Sequence, residues 1–494
     1  MITQDQSELI SFLSNKNTFH QENEVLVHKS ALYTLFLTQT KVYKLKHAIL
    51  STHVDFSTPE KRKLACLNEI KRSAIYATGL KQTLKTVRKS AGKFTLNGPE
   101  GEEVDSLIEM KRLPSDCFFS ELLNKNHLDK KHILSLGEAL VDLHNKAKVY
   151  HQKGNPDFFK TLINETKLIL NDFSPQLFKV SDIQQWATAC HKQLKKLSSL
   201  IIFRQKSGRV KKCHGDLFLS NIALFKKQFL FFSPLEHSTI MECMDCLYDL
   251  SSILIELEAV GKRPLANLLL NHYMSFTNDL EGIPLLSLYQ SLRGARRAIT
   301  LAQKAVLSNP EKQKALFQQA SILFKTACQV LEPTPSVLIA CGGLPKVGKT
   351  TITQNLAPHF DPAPGAFILK DEVIKKQIRG LMPQQPFKKT TDSPSFNTVL
   401  YAVLVQQVKA ILSAHSSVIV DANLTQEIHR SALTQVATDL NIPFVGLWIE
   451  DPQKKQKSPL SAEEKFYWYS IKIKPKEDET LQYVLNILQR NNEL

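Results

Sequence analysis

The chain runs to 494 residues, 43% of them hydrophobic and 22% charged, which predicts two or three domains of ~100–200 residues with real cores and excludes wholesale disorder. Its net charge is +16, from 63 basic and 47 acidic residues. Thirteen Lys or Arg crowd residues 41–93 against Asp55, Glu60 and Glu69, but no nucleic-acid motif or interleaved aromatic pattern accompanies them, so a solvated basic face is expected and nucleic acid is not an expected partner. Polar, acidic opening residues, the lack of an uninterrupted apolar stretch of about 20 residues and eight scattered cysteines point to a cytoplasmic chain with reduced thiols and no membrane insertion. Cys243 and Cys246 form a C-x-x-C, half of a metal site whose second pair does not follow at suitable spacing.

In chain order, residues 20–115 hold short alternating or apolar runs at Leu32–Leu37, Val42–Lys46 and Leu107–Met110, with a helix over 59–78 between them. This pattern predicts a small sheet with one helix. Residues 127–330 read as mostly helical, interrupted by two strand-like runs, Ile222–Phe225 and Phe229–Phe232. A small β-rich lobe followed by a larger helical one makes a two-lobed arrangement, and ligands commonly sit in such clefts.

Just before the first of those runs lies His214-Gly215-Asp216, with Asn221 five residues after the aspartate. That is the spacing of a phosphotransferase catalytic loop, in which the Asp takes the proton of an attacking hydroxyl and the Asn binds Mg²⁺.

Pro333 and Pro335 break the chain after a helical stretch, which sets the expected division at 1–332 and 333–494. Val337–Cys341 then reads as a buried parallel strand. It leads into Gly343-Leu344-Pro345-Lys346-Val347-Gly348-Lys349-Thr350-Thr351, which contains the Walker A pattern G-x-x-x-x-G-K-S/T between a strand and a helix at Lys349–Leu356. The backbone N–H groups of such a loop cradle the β-phosphate of ATP or GTP, Lys349 reaches the β- and γ-phosphates, and the Thr350 hydroxyl ligates Mg²⁺.

Strands at Ala366–Lys370, Val418–Val420 and Phe444–Ile449 alternate with helices ending near Gly380 and spanning 398–413 and 425–440. Such alternation predicts a parallel sheet with helices on both faces. Asp371 and Asp421 fall at carboxyl ends of strands, where ligands bind. Asp421 is the candidate for Mg²⁺ or its water shell, and Asp371 the candidate to orient or deprotonate an acceptor hydroxyl.

Two resemblances follow from these motifs. The stretches GGLPKVGKTT, LKDEVIKK and SVIVDANL make the C-terminal part similar to small-molecule P-loop kinases of the adenylate-kinase and gluconate-kinase type, which implies phosphoryl transfer from ATP, with Mg²⁺, to a small acceptor. The family's lid arginines are absent here. After Asp451 come Lys454, Lys455 and Lys457, and the next arginine is Arg490. Met382–Asn397, rich in Pro, Gln, Ser and Thr, lies where an acceptor region would be and carries no recognisable chemistry.

The H-G-D-x-x-x-x-N loop makes residues 24–305 resemble the aminoglycoside and choline phosphotransferases, whose fold is protein-kinase-like. The resemblance implies that a lysine of Val42–Lys46 grips the phosphates, Lys44 by the family's pattern with Lys46 on the same strand face, and that Glu69 pairs with it. It also implies that Met110–Pro114 joins the lobes and that Asp245 and Asp249 pack beneath the catalytic loop. Ser233 stands where the family has its second metal-binding Asp, with Glu236 three residues on, and Phe218 stands where its loop has a His.

The expected fold is an α+β, protein-kinase-like two-lobed domain followed by an α/β P-loop domain with a parallel sheet. The expected activity is ATP-dependent phosphoryl transfer to an unidentified small molecule. The alternative is a catalytically degenerate nucleotide-binding regulator.

Overall fold

The computed structural model describes residues 2–20, 23–30, 32–50, 54–233, 243–386, 393–450, 460–473 and 477–490. The chain forms two compact units, one of residues 1–128, 142–256 and 292–325, the other of 129–141, 257–291 and 326–494. These units do not follow the boundary expected at 332/333, because residues 129–141 and 257–291 pack with the P-loop region.

The first unit holds a six-stranded antiparallel sheet in the order β1-β2-β3-β6-β4-β5, made of β1 (Leu26–Lys29), β2 (Tyr33–Leu37), β3 (Lys41–Lys46), β4 (Gln82–Ser90), β5 (Lys93–Leu96) and β6 (Glu102–Lys111). Phe36, Tyr43, Leu45, Val87 and Leu107 form its core with Leu9 and Leu13 of the first helix. The helix Pro59–Tyr76 is started by Thr58, whose hydroxyl accepts from the N–H of Lys61, and by a proline in its first turn. Its buried stripe is polar as well as apolar, with Arg62, Cys66, Glu69 and Arg72 recurring at helical spacing. Fully buried Arg62 pairs with Asp105 of β6 at 2.9 Å.

Within the basic run at 41–93, several lysines on the solvated face are paired with carboxylates and two are buried. Lys41 lies 3.0 Å from Glu109, Lys63 3.0 Å from Glu103 and Lys89 3.0 Å from Glu8, while Lys44 and Lys46 are buried.

Further along, β7 (Val210–Lys212) pairs antiparallel with β10 (Cys243–Asp245), and β8 (Ile222–Phe225) forms a hairpin with β9 (Gln228–Phe231). The hairpin matches the sequence expectation, whereas the β7/β10 ladder is too short and too far apart in sequence to show a period.

The second unit is built on a parallel sheet in the order β12-β13-β11-β14-β15, comprising β11 (Leu338–Gly343), β12 (Phe367–Lys370), β13 (Val418–Asp421), β14 (Phe444–Glu450) and β15 (Trp468–Lys472). One face buries Ile339, Cys341, Ile419, Val445 and Leu447 against the helices Lys349–Leu356 and Glu477–Arg490. Helices Pro394–Ser413 and Glu427–Leu440 contact β13 and β11. By length and composition Pro394–Ser413 could cross a membrane, yet here it packs against helices Asp371–Ile378 and Glu427–Leu440.

Candidate functional sites

In the second unit, β11 ends in the loop that the Walker pattern predicts. Gly343 has φ +146° and Gly348 φ +90°, conformations that L side chains rarely adopt. A Cβ on Gly343 would also stand 2.7 Å from the carbonyl oxygen of Ile449. Between them, Leu344, Pro345, Lys346 and Val347 carry the turn, with Lys346 itself at φ +65°. Thr351 follows in the first turn of the helix that Lys349 opens.

Lys349 donates from Nζ to the carbonyl oxygens of Gly343 and Leu344, both at 2.7 Å. Burial holds its pKa below the usual lysine value. The Thr350 hydroxyl donates to Oδ2 of Asp421 at 2.6 Å. The register pairs Cys341 with Asp421 and Lys370 with Asp421 across the sheet, so the candidate metal carboxylate lies at the end of the strand next to the one feeding the loop.

Asp371 begins the next helix and accepts from the backbone N–H of Asn423 at 3.4 Å. Burial pushes its pKa above the ordinary aspartate value. The four residues proposed from sequence, Lys349, Thr350, Asp371 and Asp421, are therefore neighbours. Their hydroxyl and carboxylate oxygens suit a hard cation such as Mg²⁺ beside a triphosphate.

The sequence reading missed Asn423, which links them. Its side-chain oxygen lies 3.4 Å from Lys349 Nζ and its carbonyl accepts from the N–H of Gly343 at 3.2 Å. Its place two residues past Asp421, at the carboxyl end of a strand, was the available signal. Tyr401 was missed too. Burial, and then the charge of Asp371, push its pKa to about 12.

A cavity of about 270 Å³ in the same unit is bordered by Lys370, Glu138, His272, Gln377 and Gln407, but its lining does not include Asp371 or Lys349. Lys454, Lys455 and Lys457, part of Met382–Asn397 and the side chain of Arg490 lie outside the described residues.

In the first unit, Lys44 and Lys46 both reach Glu69, at 2.6 Å to one carboxylate oxygen and 2.7 Å to the other. Lysines two apart on a strand share a face, and here both meet the helix residue expected to pair with one of them.

The catalytic-loop candidates are also placed together. Asn221 donates from Nδ2 to the backbone oxygen of Asp216 at 2.8 Å and to its carboxylate at 3.1 Å. The Asp216 side chain is 38% exposed, with Arg293 at 3.7 Å. Buried Asp249 holds the loop from below, accepting the backbone N–H groups of His214 and Gly215 at 2.9 Å each. Arg293, which the sequence reading missed, donates to the Gly215 carbonyl at 2.9 Å.

Asp245 does not share the role expected of it. It accepts from Nε and Nη2 of Arg204 at 2.6 and 2.8 Å. One helical turn from Asp249, it points to a different partner. Phe218 is buried under Arg293 and Arg297, whose guanidinium carbons sit 4.7 and 4.4 Å from its ring. Ser233 has a left-handed backbone at φ +53°, and Glu236 lies outside the described residues. A neutral serine hydroxyl does not fit the carboxylate role at a metal.

Residues 338–465 match the family model described as AAA domain. The chain is similar to an uncharacterized protein of Mycobacterium tuberculosis, 19% identical over 428 residues that cover 85% of this chain and 82% of that one. Among solved structures, a Plasmodium vivax ethanolamine kinase aligns at 12% identity with a TM-score of 0.37, covering 66% of this chain and 95% of its own. A Mycobacterium tuberculosis APS kinase aligns at 18% identity with a TM-score of 0.24, covering 32% and 99%. The matched stretch holds the Walker A loop and strands β11 to β14, and the part before it combines an antiparallel sheet with helices.

Proposed function

We propose that the chain is an ATP-dependent phosphotransferase whose working site is the P-loop, acting on a small hydroxyl-bearing molecule. The observation that carries this reading is the cluster of Lys349, Thr350, Asp421 and Asp371 around Asn423. The loop from Gly343 to Thr351 binds the phosphates. Thr350 and Asp421 would hold Mg²⁺, which when bound supplies positive charge to the β- and γ-phosphates. Lys349 exchanges its carbonyl contacts for phosphate oxygens. Asp371 takes the proton as the acceptor oxygen bonds to the γ-phosphorus, the bond to the bridging oxygen breaks and ADP departs.

In the N-terminal part, Lys44, Lys46 and Glu69 are assigned to a second nucleotide, Asp216 to an acceptor hydroxyl and Asn221 to a metal. A cytoplasmic location and the lack of a nucleic-acid partner belong to the same reading.

Purified chain with ATP and Mg²⁺, alone and with a panel of hydroxyl-bearing metabolites, should release ADP. That release should fall about 10²–10³-fold in Lys349→Ala. Release that this substitution leaves unchanged refutes the P-loop assignment. The second reading, a nucleotide-binding regulator, is favoured by the hydroxyl of Ser233 in place of a carboxylate. Tight ATP binding with no turnover under any condition would establish it.

A further inference from the structure

The half-motif Cys243-x-x-Cys246 lacks a second pair in sequence, and the fold supplies other company for one of its members. Cys246, at the start of the helix Cys246–Ala259, accepts a hydrogen bond at its sulfur from the thiol of Cys213. Cys213 directly follows β7 and precedes His214, and its Sγ also lies 3.4 Å from the Met244 carbonyl. Donor atoms of His144, Cys213 and Asp249 all fall within 4.8 Å of one another, and all three residues are buried. His144 Nε2 stands 3.6 Å from Asp249 Oδ2.

Tetrahedral zinc, with bonds of about 2.0–2.3 Å, sets neighbouring donors roughly 3.3–3.8 Å apart. The histidine and aspartate already meet that spacing, and the sulfur needs a shift of about 1 Å or less. Asp249 spends one lone pair of each oxygen on the N–H groups of His214 and Gly215, which leaves Oδ2 a second with which to ligate.

We propose that His144, Cys213 and Asp249, with Cys246 drawn in from outside that group as fourth donor, bind one structural zinc ion beneath the loop that carries Asp216. A mixed thiolate, imidazole and carboxylate set selects zinc over the hard cations of a nucleotide site.

On binding, each thiol loses its proton to solvent, and the Cys213 contact with the Met244 carbonyl is given up. The ion would tie together the helix bearing His144, the entry to the catalytic loop and the helix bearing Asp249. The inference rests on this cluster alone and holds whichever of the two sites transfers phosphate.

The test uses the full chain, purified under reducing conditions without chelator. Metal analysis should find about one zinc per chain, and exchange with Co²⁺ should give the near-ultraviolet thiolate-to-cobalt absorption of a tetrahedral sulfur site. The Thr350/Asp421 pair has no sulfur and cannot produce that band. The double variant Cys213→Ser/Cys246→Ser should lose both metal and band, while Cys117→Ser should keep them. If the double variant does not fold, X-ray absorption on the zinc-loaded parent decides, with two sulfur and two nitrogen or oxygen ligands expected. Reduced, folded chain that holds no zinc and takes up no Co²⁺ overturns the proposal. So does a cobalt spectrum without sulfur character, or one unchanged in the double variant.

Discussion

The P-loop cluster and the N-terminal loop at Asp216 are both proposed to handle phosphate, and they differ in what their carboxylates face. At the P-loop, Asp421 meets the Thr350 hydroxyl and Asp371 sits buried with a raised pKa, so two acids converge on one place from adjacent strand ends. At the N-terminal loop, Asp216 has Asn221 and Arg293 beside it, and the position expected to add a second acid holds Ser233. Phosphoryl transfer relies on positioned charge more than on covalent chemistry. On the proposed roles, a site with its base but without a second metal carboxylate should retain binding better than turnover.

The sharpest way to break this comparison concerns stability. Glu69→Ala would remove the carboxylate that two buried ammonium groups share and should cost about 3–5 kcal/mol, read as a lower denaturant midpoint for the first unit. A loss under about 1 kcal/mol would show that Lys44 and Lys46 are held by other groups. Next in size, Lys349→Ala should lower Mg²⁺-dependent ATP turnover about 10²–10³-fold, whereas Asp216→Asn should leave it intact. The reverse outcome would make the N-terminal loop the working site. Asp421→Asn should raise the Mg²⁺ requirement for ATP binding about 10–100-fold, measured by titration calorimetry.

The smallest effect is in pH. Asp371 must be ionised to act as base, and its raised pKa moves the acid limb of the rate profile upward. Lys349 must be charged, and its lowered pKa moves the alkaline limb downward. The profile should be narrower than unshifted groups would give, and Asp371→Asn should flatten only the acid side of the residual activity.

Much of this was legible because the P-loop unit speaks in local signals. Its strands are continuous apolar runs, its loop is a fixed spacing, and Asp371 and Asp421 follow from counting strand ends. The order β12-β13-β11 then brings them together. The rest was hidden by non-local pairing. The stripe Arg62, Glu69 and Arg72 on helix Pro59–Tyr76 is buried through partners such as Asp105 and Lys44, so no apolar period announces it. β4 and β5 fall in a basic stretch that reads as surface until Lys85 and Lys89 find Glu109 and Glu8. Asp245 and Asp249 look equivalent one turn apart, and only tertiary structure sends the first to Arg204.

The family match stops at residue 465, but the fold does not. β15 pairs in parallel along β14 from Gly446 to Glu450, and the helix after it lays Val484 and Leu488 into the same core as Ile352 and Leu356 of the Walker helix. A fragment trimmed at the match would strip that cover, leaving the open edge of β14 as a template for self-association. A fragment of the P-loop region should run through to Arg490, because β15 and the helix Glu477–Arg490 are scaffolding for the phosphate loop.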